Sequence, residues 1–345
     1  MSKQTSKGSG EQIVVLSIGH AHTLAEKASE TRNYSDLQTI AEIVLTSANI
    51  FGSAADYHNL AAEYARSYDY YNAYQIVDQG LRRQYLYDID LLSDAIRYGS
   101  YCNKYDECEE YTETLKHRPR GAWNWRAFTF LVDYLNQKAG LAEVERIMPI
   151  LDEALNISLE YQRVLPLEEK AYISESEVRL LREHFIRESD HPDNIELADK
   201  EHELAKEALR KAISDRSIIA VQCSLKYADI LFEERQYTEV IEVCTQALGY
   251  SETQPSARIA YFKYLSALSK DALIRQDKAF ADEKRVLEVL NEFSVVYQVI
   301  EEPTYERNTK KRAALLAAEA GIQLPTTFET ANSTLSDLFS HLSAV

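Results

Sequence analysis

Residues Tyr57–Gly80 read YHNLAAEYARSYDYYNAYQIVDQG, and their spacing decides the fold. Tyr57, Leu60, Ala61 and Tyr64 recur at helical intervals; after a short polar break, so do Ala73, Val77 and Gly80. Tyr70 stands six residues beyond Tyr64, where the chain must turn between two helices. Small residues at Ala61, Ala73 and Gly80 let two backbones approach, while Tyr57, Leu60 and Tyr64 fill the space around them. Neither helix can bury its stripe alone, so neighbouring pairs must stack.

The same frame recurs on both sides. Upstream it is carried by Ala21, Leu24, Ala25, Ala28 and Tyr34, then Leu37, Ala41 and Val44. Downstream it runs through Leu92, Ala95, Ile96, Gly99 and Tyr105, then Cys108, Thr112 and Leu115. A fourth copy is Phe128, Leu131, Val132, Leu135 and Leu141, then Val144, Met148 and Leu151. The turn-side markers Tyr34, Tyr70, Tyr105 and Leu141 are 35 or 36 residues apart. Ile96 and Leu115 stand where small residues are preferred, so the third unit is expected to pack more loosely or with a shift. Another copy is Ser224, Tyr227, Ala228, Leu231 and Tyr237, then Val240, Cys244 and Ala247.

In these residues the chain resembles the tetratricopeptide repeat (TPR) family, whose units are helical hairpins of about 34 residues. The resemblance covers residues 18–155 and 221–252. It implies an all-α fold, a right-handed α-solenoid of about seven antiparallel helix pairs closed by C-terminal capping helices. The expected organisation is a flexible tail at 1–12 and four TPR-like units at 13–155. Extended and TPR-like helix pairs follow at 156–300, with caps at 301–345. Long helices are predicted near 167–187, up to 213, at 257–274 and at 278–297. Two short helices are expected after Pro303, one with the apolar stripe Leu335, Leu338, Phe339 and Leu342. The alternative is two helical lobes divided near 159–167, where EYQRVLP interrupts the periodicity.

Composition agrees with helices. Only 10 Gly and 7 Pro punctuate 345 residues, too few for a protein of strands and tight turns. The 55 acidic against 38 basic residues give a net charge of −17, a field that repels phosphate backbones. No nucleic acid is therefore expected as a partner. Cys102, Cys108, Cys223 and Cys244 show no Cys-x-x-Cys spacing, and no signal peptide or apolar membrane span is evident. A cytoplasmic protein without membrane insertion is the expectation.

Catalytic patterns are missing: no Gly-rich phosphate loop, no G-x-S-x-G and no H-E-x-x-H. The carboxylates spread along helix faces beside Lys and Arg, as in EHELAKEALRK, which marks a solvated face. His20 and His22 lack further ligands at metal spacing. No enzyme, metal or cofactor is expected.

Resemblance to TPR proteins implies a concave face lined by the first helix of each pair, which holds a partner protein or peptide. The residues off the buried stripe are His22, Glu26 and Ser29; His58, Ala62 and Ala65; Ser93, Arg97 and Ser100; and Thr129, Asp133 and Asn136. Arg66 and Tyr101 flank them. The places used by family members that clamp a C-terminal carboxylate carry His22, Glu26, His58 and Ala62, which lack the required Lys and Asn. The function expected is a non-enzymatic scaffold or adaptor. The runner-up is a peptide-sensing regulator resembling bacterial TPR quorum-sensing receptors.

One stretch is anomalous. Residues 116–126, KHRPRGAWNWR, hold five basic or potentially basic groups, no acid, and both tryptophans. The frame places it between the third and fourth units, with Pro119 and Gly121 breaking the chain. It is expected to be a joint, and Arg118, Arg120 and Arg126 beside Trp123 or Trp125 a candidate hot spot for an acidic peptide.

Overall fold

The computed structural model describes residues 4–7, 12–189, 194–214, 220–249, 256–299 and 303–328. The fold is all-α and of helical-repeat type, with 15 α-helices among the described residues. It divides into two compact units, Met1–Ala205 and Lys206–Val345.

Unit 1 opens with a short antiparallel ribbon, β1 (Gln4–Lys7) and β2 (Gln12–Val15). The sequence reading expects a loose tail at 1–12; instead the strands pair, and Val15 is fully buried against the first helices. Four hairpins follow: α1 (Ile18–Glu30) with α2 (Tyr34–Thr46), α3 (Ala54–Arg66) with α4 (Tyr70–Gly80), α5 (Ile89–Tyr101) with α6 (Tyr105–Lys116), and α7 (Trp125–Leu141) with α8 (Val144–Val164). Next come α9 (Glu169–Glu188) and α10 (Asn194–Ser214), which carries the unit boundary. The first helices stack in succession, α1 on α3, α3 on α5, α5 on α7 and α7 on α9. The interruption at 159–167 is the end of α8 and the short turn into α9, and the two helices pack together; the division lies further along the chain.

The turns explain the period. Asn33, Asp69 and Lys104 donate their backbone N–H to the carbonyls of Ala28, Tyr64 and Gly99 at 2.8–2.9 Å. These are Schellman closures, which satisfy carbonyls orphaned at a helix end and need a left-handed residue before the donor. That residue is Arg32, Tyr68 or Asn103, at φ 54°, 60° and 59°. Asn33 and Asp69 then cap the next helix with their side chains. Each turn thus ends one helix and starts another within four residues.

The interfaces match the predicted stripes. Tyr57, Leu60, Ala61, Tyr64, Ala73, Val77 and Gly80 are all buried, and Tyr64 donates its hydroxyl to Leu37 O at 2.7 Å. A β-carbon at Gly80 would lie 2.9 Å from Cγ of Tyr57, so only glycine admits that ring. In the third unit Ile96 and Leu115 are fully buried rather than loose, because Gly99 supplies the close approach, to Cys108 and Tyr74. The fourth unit departs from its frame. Helix α7 runs on through Leu141, and both Leu141 and Val144 are exposed, while Ile147, Ile150, Leu151 and Ala154 carry the buried stripe of α8.

Unit 2 holds α11 (Val221–Glu233) and α12 (Tyr237–Leu248), whose predicted residues are buried except half-buried Tyr237. Their turn repeats the closure, with Arg235 at φ 62° and Gln236 N–H on Leu231 O. Then come α13 (Ser256–Asp277), α14 (Glu283–Val299) and α15 (Pro303–Ala320). Phe293, Val289, Leu316 and Phe328 are fully buried in their common core. After Pro303 the described residues form one 18-residue helix; the second predicted helix, with its stripe Leu335–Leu342, lies outside the described residues.

Candidate ligand-binding site

The stacked first helices of unit 1 bring together groups distant in sequence. His58 on α3 hydrogen-bonds Asp94 on α5 through Nδ1, and its Nε2 lies 2.5 Å from Nη1 of Arg126 on α7. With the Nδ1 proton directed at the carboxylate, Nε2 accepts from the guanidinium, so one ring links three repeats. Asp94 is buried, which pushes its carboxyl up, while His58 and Arg126 pull it back.

Next to this chain lies a cluster of cations. The Arg97 guanidinium sits 4.6 Å from the Phe130 ring centre, Arg126 5.4 Å from that of Trp125, and Lys170 Nζ 3.4 Å from that of Trp125. Burial and the nearby charges of Arg97 and Arg126 push the Lys170 ammonium down, partly offset by Glu168 and Asp133. Among the described residues none of the three forms an ion pair with a carboxylate. Other cations of the unit do: Arg66 with Glu63, Arg82 with Asp78, Lys138 with Glu109. Asp133 is an acid near both Arg97 and Lys170. Burial, then Glu177, pushes its carboxyl up to about 6, against the pull of Arg97 and Lys170.

The remaining predicted site residues fall into distinct places. His22 is half-buried, 3.6 Å from buried Glu63, which also pairs with exposed Arg66; Glu26 is exposed. Ser29 meets Ser67, and Ala62, Ala65, Thr129 and Asn136 are half-buried. Ser93 and Ser100, expected on an open face, are buried and bond backbone carbonyls of α5. Tyr101 is exposed and packs on Tyr70 with ring centres 4.7 Å apart.

The stretch 116–126 is a joint. Trp123 is buried against Phe128, with the Arg120 guanidinium 3.8 Å from its ring centre and 3.1 Å from a Glu160 oxygen. Arg118 lies over Tyr87. The three arginines therefore take three different partners, and only Arg126, with Trp125, belongs to the cluster on the first helices. Asn124 caps α7 between the tryptophans, which sends Trp123 inward and opens the helix at Trp125.

Asp94, Glu63 and Lys170 are the residues sequence reasoning missed. Asp94 lies 36 residues after His58, one position beyond the repeat equivalent Ser93, so the frame passes over it. Lys170 had no signal, since α9 lies outside the repeat frame.

Among the described residues no group of three or more His, Cys, Asp or Glu is arranged to hold a metal, and no helix is long and apolar enough to cross a membrane. Cys108, Cys223 and Cys244 are buried, and burial pushes the Cys108 thiol up to about 12.

No family model matches the chain, and no curated protein matches it. Among solved structures it is similar to a monomeric mutant of IFIT1 with Gppp-AAAA, at 13% identity and a TM-score of 0.41, covering 94% of this chain and 69% of that one. It is also similar to Nro1, described as a hypoxic regulator of sterol synthesis and a nuclear import adaptor. There the identity is 12% and the TM-score 0.33, with 89% of this chain and 97% of that one covered.

Proposed function

We propose that the chain is a non-enzymatic, TPR-like scaffold that binds a protein or peptide partner across the face formed by α1, α3, α5, α7 and α9. One observation carries this reading: Arg97, Arg126 and Lys170, from three successive first helices, converge beside Trp125 and Phe130 without carboxylate partners. A charge cluster left open in an acidic protein favours an anionic segment of a partner, steered by local complementarity. Arginine and tryptophan are also the side chains that most often dominate interface energies.

The test is site-specific photocrosslinking in native cells. A crosslinker at Glu26 or Arg66, on the first helices, should give partner adducts; one at Val144, exposed on α8, should not. Adducts from Val144 alone would overturn the reading.

A further inference from the structure

We propose that Arg97, Arg126 and Lys170 recognise one phosphorylated serine or threonine side chain in the partner segment. The inference rests on the scaffold reading and names the chemistry of its central contact.

How the three cations are held supports it. Carboxylates would hold them in place and cancel their charge. Aromatic faces hold them without cancelling it: Phe130 under Arg97, and Trp125 under both Arg126 and Lys170. No described residue accepts a hydrogen bond from the side chain of Arg97 or Lys170, so their N–H groups stay available. Arg126 lies against a ring nitrogen of His58 and not against a carboxylate, so its charge is not cancelled. The stems are ordered before a ligand arrives, which lowers the entropic cost of binding.

Charge and donor geometry then select the ligand. A carboxylate brings one negative charge to three cations. A phosphate monoester brings between one and two, with three acceptor oxygens suited to two planar guanidiniums and one ammonium. Asp133 acts on Arg97 and Lys170, and Glu168 on Lys170, but neither forms an ion pair with them, so the three positive charges are only partly offset. A long polyanion is a poorer fit, because most of it would lie in the field of a chain with net charge −17. A single phosphate on a short segment lies within a Debye length of about 8 Å of the cluster, where the local cations dominate.

The full chain would be titrated with three peptide libraries, identical except for a central phosphoserine, glutamate or serine. Binding would be followed by fluorescence anisotropy. The phosphoserine library should bind at least tenfold tighter than the glutamate library. Arg97→Gln and Lys170→Gln, which keep most of the stem, should each weaken it by about 10-fold or more, since a charge-assisted hydrogen bond is lost. Arg82→Gln, which removes a cation paired with Asp78 on α4, should leave it unchanged. Equal affinity for phosphoserine and glutamate, no binding of phosphoserine, or indifference to Arg97→Gln and Lys170→Gln would overturn the inference. Partner adducts at Glu26 or Arg66 with equal affinities would sink the phosphate reading and leave the scaffold standing. Phosphoserine selectivity with adducts only at Val144 would do the reverse.

Discussion

His58 and Asp94 lie 36 residues apart, and their side chains meet in a hydrogen bond that joins α3 to α5. The carboxylate is almost wholly buried, so the imidazole is what compensates it. His58→Ala leaves a buried carboxylate with only Arg126 nearby, and should cost about 3–5 kcal/mol of stability. Adding Asp94→Ala to it should recover part of that loss, giving a coupling of about 1–3 kcal/mol in urea unfolding. Strictly additive single and double variants would show that the pair contributes no joint stability.

Asp133 carries a pH dependence whose sign follows from its carboxyl pKa, about 6 in the folded state against about 4 unfolded. Between those values the folded protein holds a proton that the unfolded chain has released. Unfolding free energy from this group is therefore fully present below pH 4 and falls as pH rises through 6. Two pH units correspond to about 3 kcal/mol as an upper figure. Asp133→Asn should stabilise the protein at pH 7 and do little at pH 4. A wild-type-to-variant difference that is the same at both pH values would refute this.

The left-handed turn residues store removable strain. Arg32 and Arg235 occupy φ 54° and 62°, where a side chain costs about 1 kcal/mol and glycine nothing. Arg32→Gly and Arg235→Gly should each raise the unfolding free energy by about 0.5 kcal/mol, after the extra freedom glycine gains in the unfolded chain. Tyr68→Gly should gain less, because Tyr68 packs edge-on against Tyr70. Loss of stability in Arg32→Gly would mean that the arginine side chain supports the turn.

The repeat was legible because its turns and close approaches admit few residue types. Tyr57 against Gly80, and the polar caps Asn33 and Asp69, fix a period that the eye finds in the chain. The site was legible only in part. Arg97, Asp133, Trp125 and Arg126 follow from the frame, but a 35-residue step from His58 selects Ser93, whereas the partner is Asp94. Helix α5 packs against α3, α4, α6 and α7, so only a narrow strip that includes Arg97 stays at the surface, and spacing alone does not separate it from buried Ser93, Asp94 and Ser100. Leu141 misled for a different reason. Tyr34, Tyr70 and Tyr105 each open the second helix of a pair, whereas Leu141 closes α7, and α8 opens only at Val144 with no side-chain cap like that of Asn33 or Asp69.

The two tryptophans, two residues apart, should separate stability from binding. Trp123 is buried between Phe128 and Arg120, at the joint of the third and fourth units. Its truncation opens a large cavity, and Trp123→Ala should cost about 3–5 kcal/mol in calorimetric or urea unfolding. Trp125 is half-buried, and the groups on its ring are the Arg126 and Lys170 cations and the edge of Phe130. Its truncation uncovers only the edge of Phe130, so Trp125→Ala should cost about 1 kcal/mol of stability. It also frees both cations to explore other rotamers, and the ordering that the ring supplied must then be made good at binding. Affinity for an anionic peptide should fall roughly tenfold in Trp125→Ala at nearly unchanged stability. If Trp125→Ala unfolded as readily as Trp123→Ala, the ring would be a second piece of the joint and not the floor of the site.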